Sequence, residues 1–178
     1  MSESVALVTG AGIGLGRATA LALADAGYRV IVTDVLLSEG QAVADEITAR
    51  GGHAEFHGLD VTDTQAANAV VSAVEARWGA LSALVLNAGI ARTLPLSALE
   101  DEAWDETMNI NLKGMMRVMR AAIGGWRKSL LKRCWNLPVW APRCCKYALW
   151  NLRYWAGRSI FPTWPVRAVL WGWCARRH

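Results

Sequence analysis

Thr9-Gly10-Ala11-Gly12-Ile13-Gly14-Leu15-Gly16 is the stretch that decides how this chain folds. The apolar run Val5 to Val8 leads into it, and Leu15 to Ala26 behind it reads as a helix closed by Gly27. Glycines at 10, 14 and 16 let the backbone turn tightly and lie close to a bound group. The helix behind the turn aims unbonded N–H groups and the positive end of its dipole at it. Strand, glycine turn and helix N-terminus together predict a seat for a dinucleotide pyrophosphate. The spacing is T-G-x-x-x-G-x-G rather than G-x-G-x-x-G. Taken alone, it also describes a plain strand-to-helix turn.

The second strand favours binding. Arg29-Val30-Ile31-Val32-Thr33-Asp34 reads as a buried strand ending in a carboxylate. Asp34 lies 20 residues after Gly14, where an acidic residue holds the adenosine ribose hydroxyls. A carboxylate there repels a 2′-phosphate, so NAD is expected over NADP. A turn or helix-capping aspartate is the plainer alternative. Arg17 falls on the first turn of the helix and is expected to point to solvent.

The rest of the first 125 residues alternates. Ser38 is placed to cap a helix running to Arg50, stopped by Gly51-Gly52. Ala54–His57 is a short third strand. Thr62 or Asp63 caps a helix with Ala66, Ala67, Val70, Val71 and Val74 on its apolar face, ending near Trp78-Gly79. Leu84–Leu86 is a fourth strand, and a further helix is placed near Thr107–Ile123. Strands alternating with helices predict right-handed crossovers and a parallel α/β sheet. No signal peptide or membrane-length apolar run is apparent, which predicts a cytoplasmic protein without a membrane span.

Thr9-Gly10-x-x-x-Gly14-x-Gly16, Asp34, Asp60-Val61, Asn87-Ala88-Gly89 and Asn111-Leu112-Lys113-Gly114 occur in this order. Over roughly residues 3 to 124 the chain resembles the short-chain dehydrogenase/reductase family. The resemblance implies a Rossmann-type doubly wound parallel sheet, here incomplete, with strand order 3-2-1-4. It implies that Thr9, Gly10, Gly12, Ile13, Gly14 and Gly16 form the pyrophosphate turn and that Asp34 binds the ribose. Asp60 would bond the adenine amino group, with Val61 packed on the ring. Asn87 would brace the neighbouring strand, and Ala88 and Gly89 would line the nicotinamide side. Asn111 would hold a water of the family's proton relay.

The same resemblance implies NAD(P)-dependent hydride transfer between nicotinamide and a small-molecule alcohol or carbonyl, no metal, and a homo-oligomer. The family's reaction needs a serine for the substrate oxygen and a tyrosine–lysine pair for the proton. This chain does not supply them. Asn136 to Ala141 occupies the serine window. Four residues past Tyr147 is Asn151, and four past Tyr154 is Arg158, whose planar group does not replace lysine. The chain is therefore expected to be an inactive form of such an oxidoreductase.

Composition changes where the resemblance stops. Residues 1–125 carry eight basic and fifteen acidic side chains, while residues 126–178 carry eleven basic and none acidic. The overall charge of +4 averages these unlike parts. The second part, 126–178, holds eight of the ten tryptophans, all four cysteines and the prolines at 138, 142, 162 and 165. It shows no sustained periodicity and is expected to be an irregular tail beside the cofactor-binding half at 1–125. Such a Trp/Arg/Cys/Pro mixture is what a GC-rich gene yields out of frame, here from near Gly124-Gly125. A second reading is a non-catalytic NAD-binding protein whose basic tail meets a membrane surface or nucleic acid, although no nucleic-acid partner is expected. Cys134, Cys144, Cys145 and Cys174 fit no common zinc spacing. With no fifth strand apparent, the fourth is expected to be an open edge.

Overall fold

In the computed structural model of the chain, residues 4–135 and 148–150 are described. Val5–Thr9 forms β1, and every residue in it is buried. A run apolar on both faces suits a strand covered by helices on both sides. Helix α1 spans Gly14–Asp25, and Gly27 turns the chain out of it at φ +83°. Next come strand β2 (Arg29–Asp34), helix α2 (Leu37–Ala49), strand β3 (His53–Gly58), helix α3 (Thr64–Trp78) and strand β4 (Ala83–Leu86). Asp63 caps α3 by accepting the N–H groups of Gln65 and Ala66. Ser38 does not cap α2: the helix begins at Leu37, and the Ser38 hydroxyl donates to Glu39 Oε2 at 2.7 Å. Leu36 is the N-cap and no side chain caps the helix; Asp34 accepts the Leu36 N–H at 3.0 Å.

The strands are parallel, with β1 between β2 and β4: Leu7 pairs with Ile31 on one side and Leu84 on the other. The order β3-β2-β1-β4 is that of a Rossmann-type doubly wound sheet. Alternate residues serve opposite layers, as the period of a strand requires. Leu7, Ile31 and Leu84 pack with Val71, Val74 and Val118 from the α3 side. Val8, Val32 and Val85 pack with Ala20, Val43 and Ile47 from the α1–α2 side.

Beyond β4 the chain departs from the simple alternation. Helix α4 (Asp101–Met108) passes into a π-helical turn at Asn109–Gly114 and continues as α5 (Met115–Trp135). Strand β5 (Ala148–Trp150) then pairs parallel with β4, Val85 opposite Leu149. The open edge anticipated at β4 is thus covered over Leu84–Leu86, and β5 becomes the outer strand of five. Backbone pairing needs no periodic side-chain pattern, and three residues suffice to meet a short edge. Tyr147, Asn151, Tyr154, Arg158, Cys144, Cys145 and Cys174 lie outside the described residues. Among the described residues no helix is long and apolar enough to cross a membrane, and no cluster of His, Cys, Asp or Glu could hold a metal ion.

Candidate dinucleotide site

The turn after β1 is built from contacts that leave no room for side chains. Gly10 stands at φ +62°, and a Cβ on it would lie 2.8 Å from Ala88 Cα. A Cβ on Gly16 would lie 1.9 Å from Gly10 O and 2.5 Å from Asn87 Nδ2. The first turn of α1 is therefore pressed onto the glycine loop. Its N-cap, Ile13, is extended and supplies no side-chain cap. The leading N–H groups of α1 thus have no capping side chain, the condition in which a helix N-terminus receives an anion. This cradle fits the pyrophosphate of a dinucleotide.

Asp34 is 6% exposed and ends β2 against the same loop. Its Oδ2 accepts Gly12 N–H at 2.7 Å while Oδ1 accepts Leu36 N–H. Each carboxylate oxygen has a second acceptor site, so capacity remains for ribose hydroxyls. Glu39 is a residue that sequence reasoning missed. A Cβ on Gly12 would lie 3.2 Å from Glu39 Cβ, so the stem of Glu39 packs beside the loop. The Ser38 hydroxyl holds the Glu39 carboxyl below the usual carboxylate range. Its only early signal is its position in the first turn after Asp34. Arg17 pairs with Glu46 at 2.6 Å on the outer face.

On the other side of β1, Thr9 and Asn87 lock two strand ends together. Thr9 Oγ1 accepts the N–H groups of Asn87 and Ala88 at 3.0 and 3.1 Å. Asn87 Nδ2 donates to Thr9 O at 3.1 Å and to Gly10 O at 2.8 Å. Asn87 thus ties the end of β4 to the glycine loop. Asp60 is exposed, and its Oδ1 accepts both the N–H and the hydroxyl of Thr62. Val61 beside it is buried.

Asn111 sits in the π-helical turn. Its Oδ1 accepts Ile90 N–H and its Nδ2 donates to Ile90 O, both at 2.8 Å. The side-chain amide therefore grips the backbone of the loop after β4 at a single residue. A Cβ on Gly89 would lie 3.0 Å from Asn111 Oδ1. Ile90 had no sequence signal, because its contact is made through backbone atoms. The glycine loop, Asp34, Asn87 and the loop at 88–90 all lie at the carboxyl ends of the parallel strands, where open α/β sheets bind ligands.

The profile of the short chain dehydrogenase family matches residues 4–129. The short-chain reductase protein NovJ of Streptomyces niveus is 43% identical over 115 residues, covering 65% of this chain and 44% of its own. A crystal structure of a short chain dehydrogenase from Mycobacterium avium superposes with a TM-score of 0.67 at 38% identity, over 74% of this chain and 49% of that one. A metagenomic short-chain oxidoreductase solved in complex with NADP has the same TM-score at 35% identity, over 71% of this chain and 57% of that one. The chain spans about half the length of the curated relatives it matches.

Proposed function

The chain belongs to the short chain dehydrogenase family, and from that premise we propose that it binds a nicotinamide dinucleotide, NAD in preference to NADP. The observation that carries this reading is the buried Asp34 carboxylate, held against Gly12 N–H at 2.7 Å. A 2′-phosphate would meet that charge. Two unit charges 4 Å apart repel by about 4 kcal/mol at an effective dielectric near 20. That exceeds the gain from one additional hydrogen bond. The leading N–H groups of α1 would hold the pyrophosphate, with Gly10 and Gly16 keeping the loop low enough to reach it. Asp60 and Val61 would flank the adenine, and Ala88 and Gly89 would leave space for the nicotinamide. Asn111 would keep its place in the relay, since its amide has a lone pair and an N–H beyond the two bonds that position Ile90.

A bound nicotinamide supplies hydride chemistry toward an alcohol or carbonyl carbon. This chain has no serine in the expected window and no Tyr-x-x-x-Lys to move the partner proton. The proposed activity is therefore dinucleotide binding without turnover. The frame-shifted reading of 126–178 accounts for that combination. Titrating the full chain with NAD and NADP by calorimetry tests the proposal, and equal affinities would remove the role given to Asp34.

A second copy of the chain is the proposed partner. Trp104, Leu112, Met116 and Ile123 are all about half exposed along α4, the π-helical turn and α5. Asp101, Glu102 and Asp105 lie at one end of this stripe in sequence, with Lys113 and Arg120 toward the other, while Glu106 pairs with Arg92 and Arg117 with Asn109. An antiparallel pairing sets acid against base twice, as a two-fold interface requires. Light scattering that finds only monomer at micromolar concentration would contradict it.

A further inference from the structure

Gly114 closes the π-helical turn and is buried against the loop that leaves β3. A Cβ on it would lie 2.6 Å from Val61 Cγ2, 3.1 Å from Val61 Cβ and 3.3 Å from Val61 O. A contact under 3 Å is not tolerated without a shift of one partner, and Val61 is itself only 6% exposed. Earlier on the same turn, Asn111 grips the Ile90 backbone through two bonds of 2.8 Å. One short turn therefore touches both candidate walls: Val61 on the adenine side and Ile90, beyond Gly89, on the nicotinamide side. A π-helical turn is a rare backbone state, frequent at functional sites. Here it places Gly114 on Val61 and Asn111 on Ile90 together.

We infer that Gly114 is a positioning residue: by letting the turn seat directly on Val61, it sets where Asn111 holds the 88–90 loop. The two walls then move as one body. The consequence for ligands rests on the dinucleotide site proposed above, but the mechanical coupling does not.

Amide exchange of the full chain followed by NMR tests the coupling, with Ile90 N–H as the reporter and Leu7 N–H in β1 as the reference. Gly114→Ala should speed exchange at Ile90 on the order of tenfold more than at Leu7, because the opening is local. Val61→Ala, which removes the wall, should speed it by a smaller factor. The double variant should exchange more slowly at Ile90 than Gly114→Ala, since the new methyl fills the space that Val61 gives up. NAD affinity should fall as the Ile90 rates rise. Unchanged Ile90 exchange in Gly114→Ala, an equal rise at Leu7, or no recovery in the double variant would each overturn the coupling. If Gly114→Ala does not fold, Val61→Ala decides, and unchanged Ile90 exchange there overturns it. A wild-type chain that binds neither NAD nor 5′-AMP refutes the dinucleotide site, while the exchange rates still decide the coupling.

Discussion

Asp34 Oδ2 accepts Gly12 N–H at 2.7 Å, so the carboxylate that ends β2 also braces the glycine loop after β1. The same side chain serves two purposes that a substitution can separate. Asp34→Ala removes the charge and the brace, whereas Asp34→Asn keeps an acceptor oxygen without the charge. A hydrogen bond to a charged group contributes roughly 1.5–3 kcal/mol. Asp34→Ala should lower the unfolding free energy by about that amount in urea titrations. Asp34→Asn should lose less stability than Asp34→Ala yet narrow the gap between NAD and NADP as far. Equal stability of Asp34→Ala and the unmutated chain would show that the brace is idle.

Gly16→Ala puts a methyl within 1.9 Å of Gly10 O, a backbone atom that cannot swing aside. It should abolish measurable dinucleotide binding and lower the thermal midpoint. Gly27→Ala is the matched control. Gly27 has φ +83° and nothing within 4 Å of a Cβ, so only backbone strain of roughly 1–2 kcal/mol is added. Dinucleotide affinity measured by calorimetry should survive Gly27→Ala and not Gly16→Ala.

Absorbance at the reduced-nicotinamide band, monitored across a panel of secondary alcohols and ketones, should show no turnover by the full chain. Loss of a general acid–base typically costs about 10²–10⁴-fold, and the serine is missing too. A rate on the order of 1 s⁻¹, ordinary for an enzyme, would mean that some other group on this chain moves the proton.

Two truncations should behave differently. Removing residues 151–178 leaves every described strand in place, so NAD affinity should be unchanged. Removing residues 126–178 also takes β5 and the end of α5, which uncovers Leu84–Leu86 of β4. An uncovered edge is a template for association between chains. The longer truncation should therefore aggregate more readily in light scattering at matched concentration. If removing 151–178 abolishes vesicle association that the full chain shows in low salt, the basic segment is a membrane-binding element in its own right.

Much of the fold was legible in the residues because buried parallel strands are written as apolar runs. Val5–Val8 and Val30–Val32 could face nothing but helices, and Asp34 was placed by its distance from the glycine turn. Other features left no such trace. The π-helical turn at Asn109–Gly114 has the same residue types as an ordinary helix, and its shape goes with the grip of Asn111 on Ile90. The start of α2 at Leu37 leaves no capping signal, because its N-cap is Leu36 and no side chain bonds its first N–H groups. Strand β5 at Ala148–Trp150 was invisible because its neighbours carry no period, and its place depends on the edge that β4 offers.

Isothermal titration of the full chain with NAD and with NADP, in one buffer of fixed ionic strength, tests the central claim most directly. The loop, the uncapped start of α1 and the paired Asp34 predict saturable one-to-one binding of NAD and a dissociation constant for NADP at least about tenfold weaker, the effect of about 1.4 kcal/mol. Tighter binding of NADP, or no heat from either dinucleotide with a chain shown to be folded, would contradict the account.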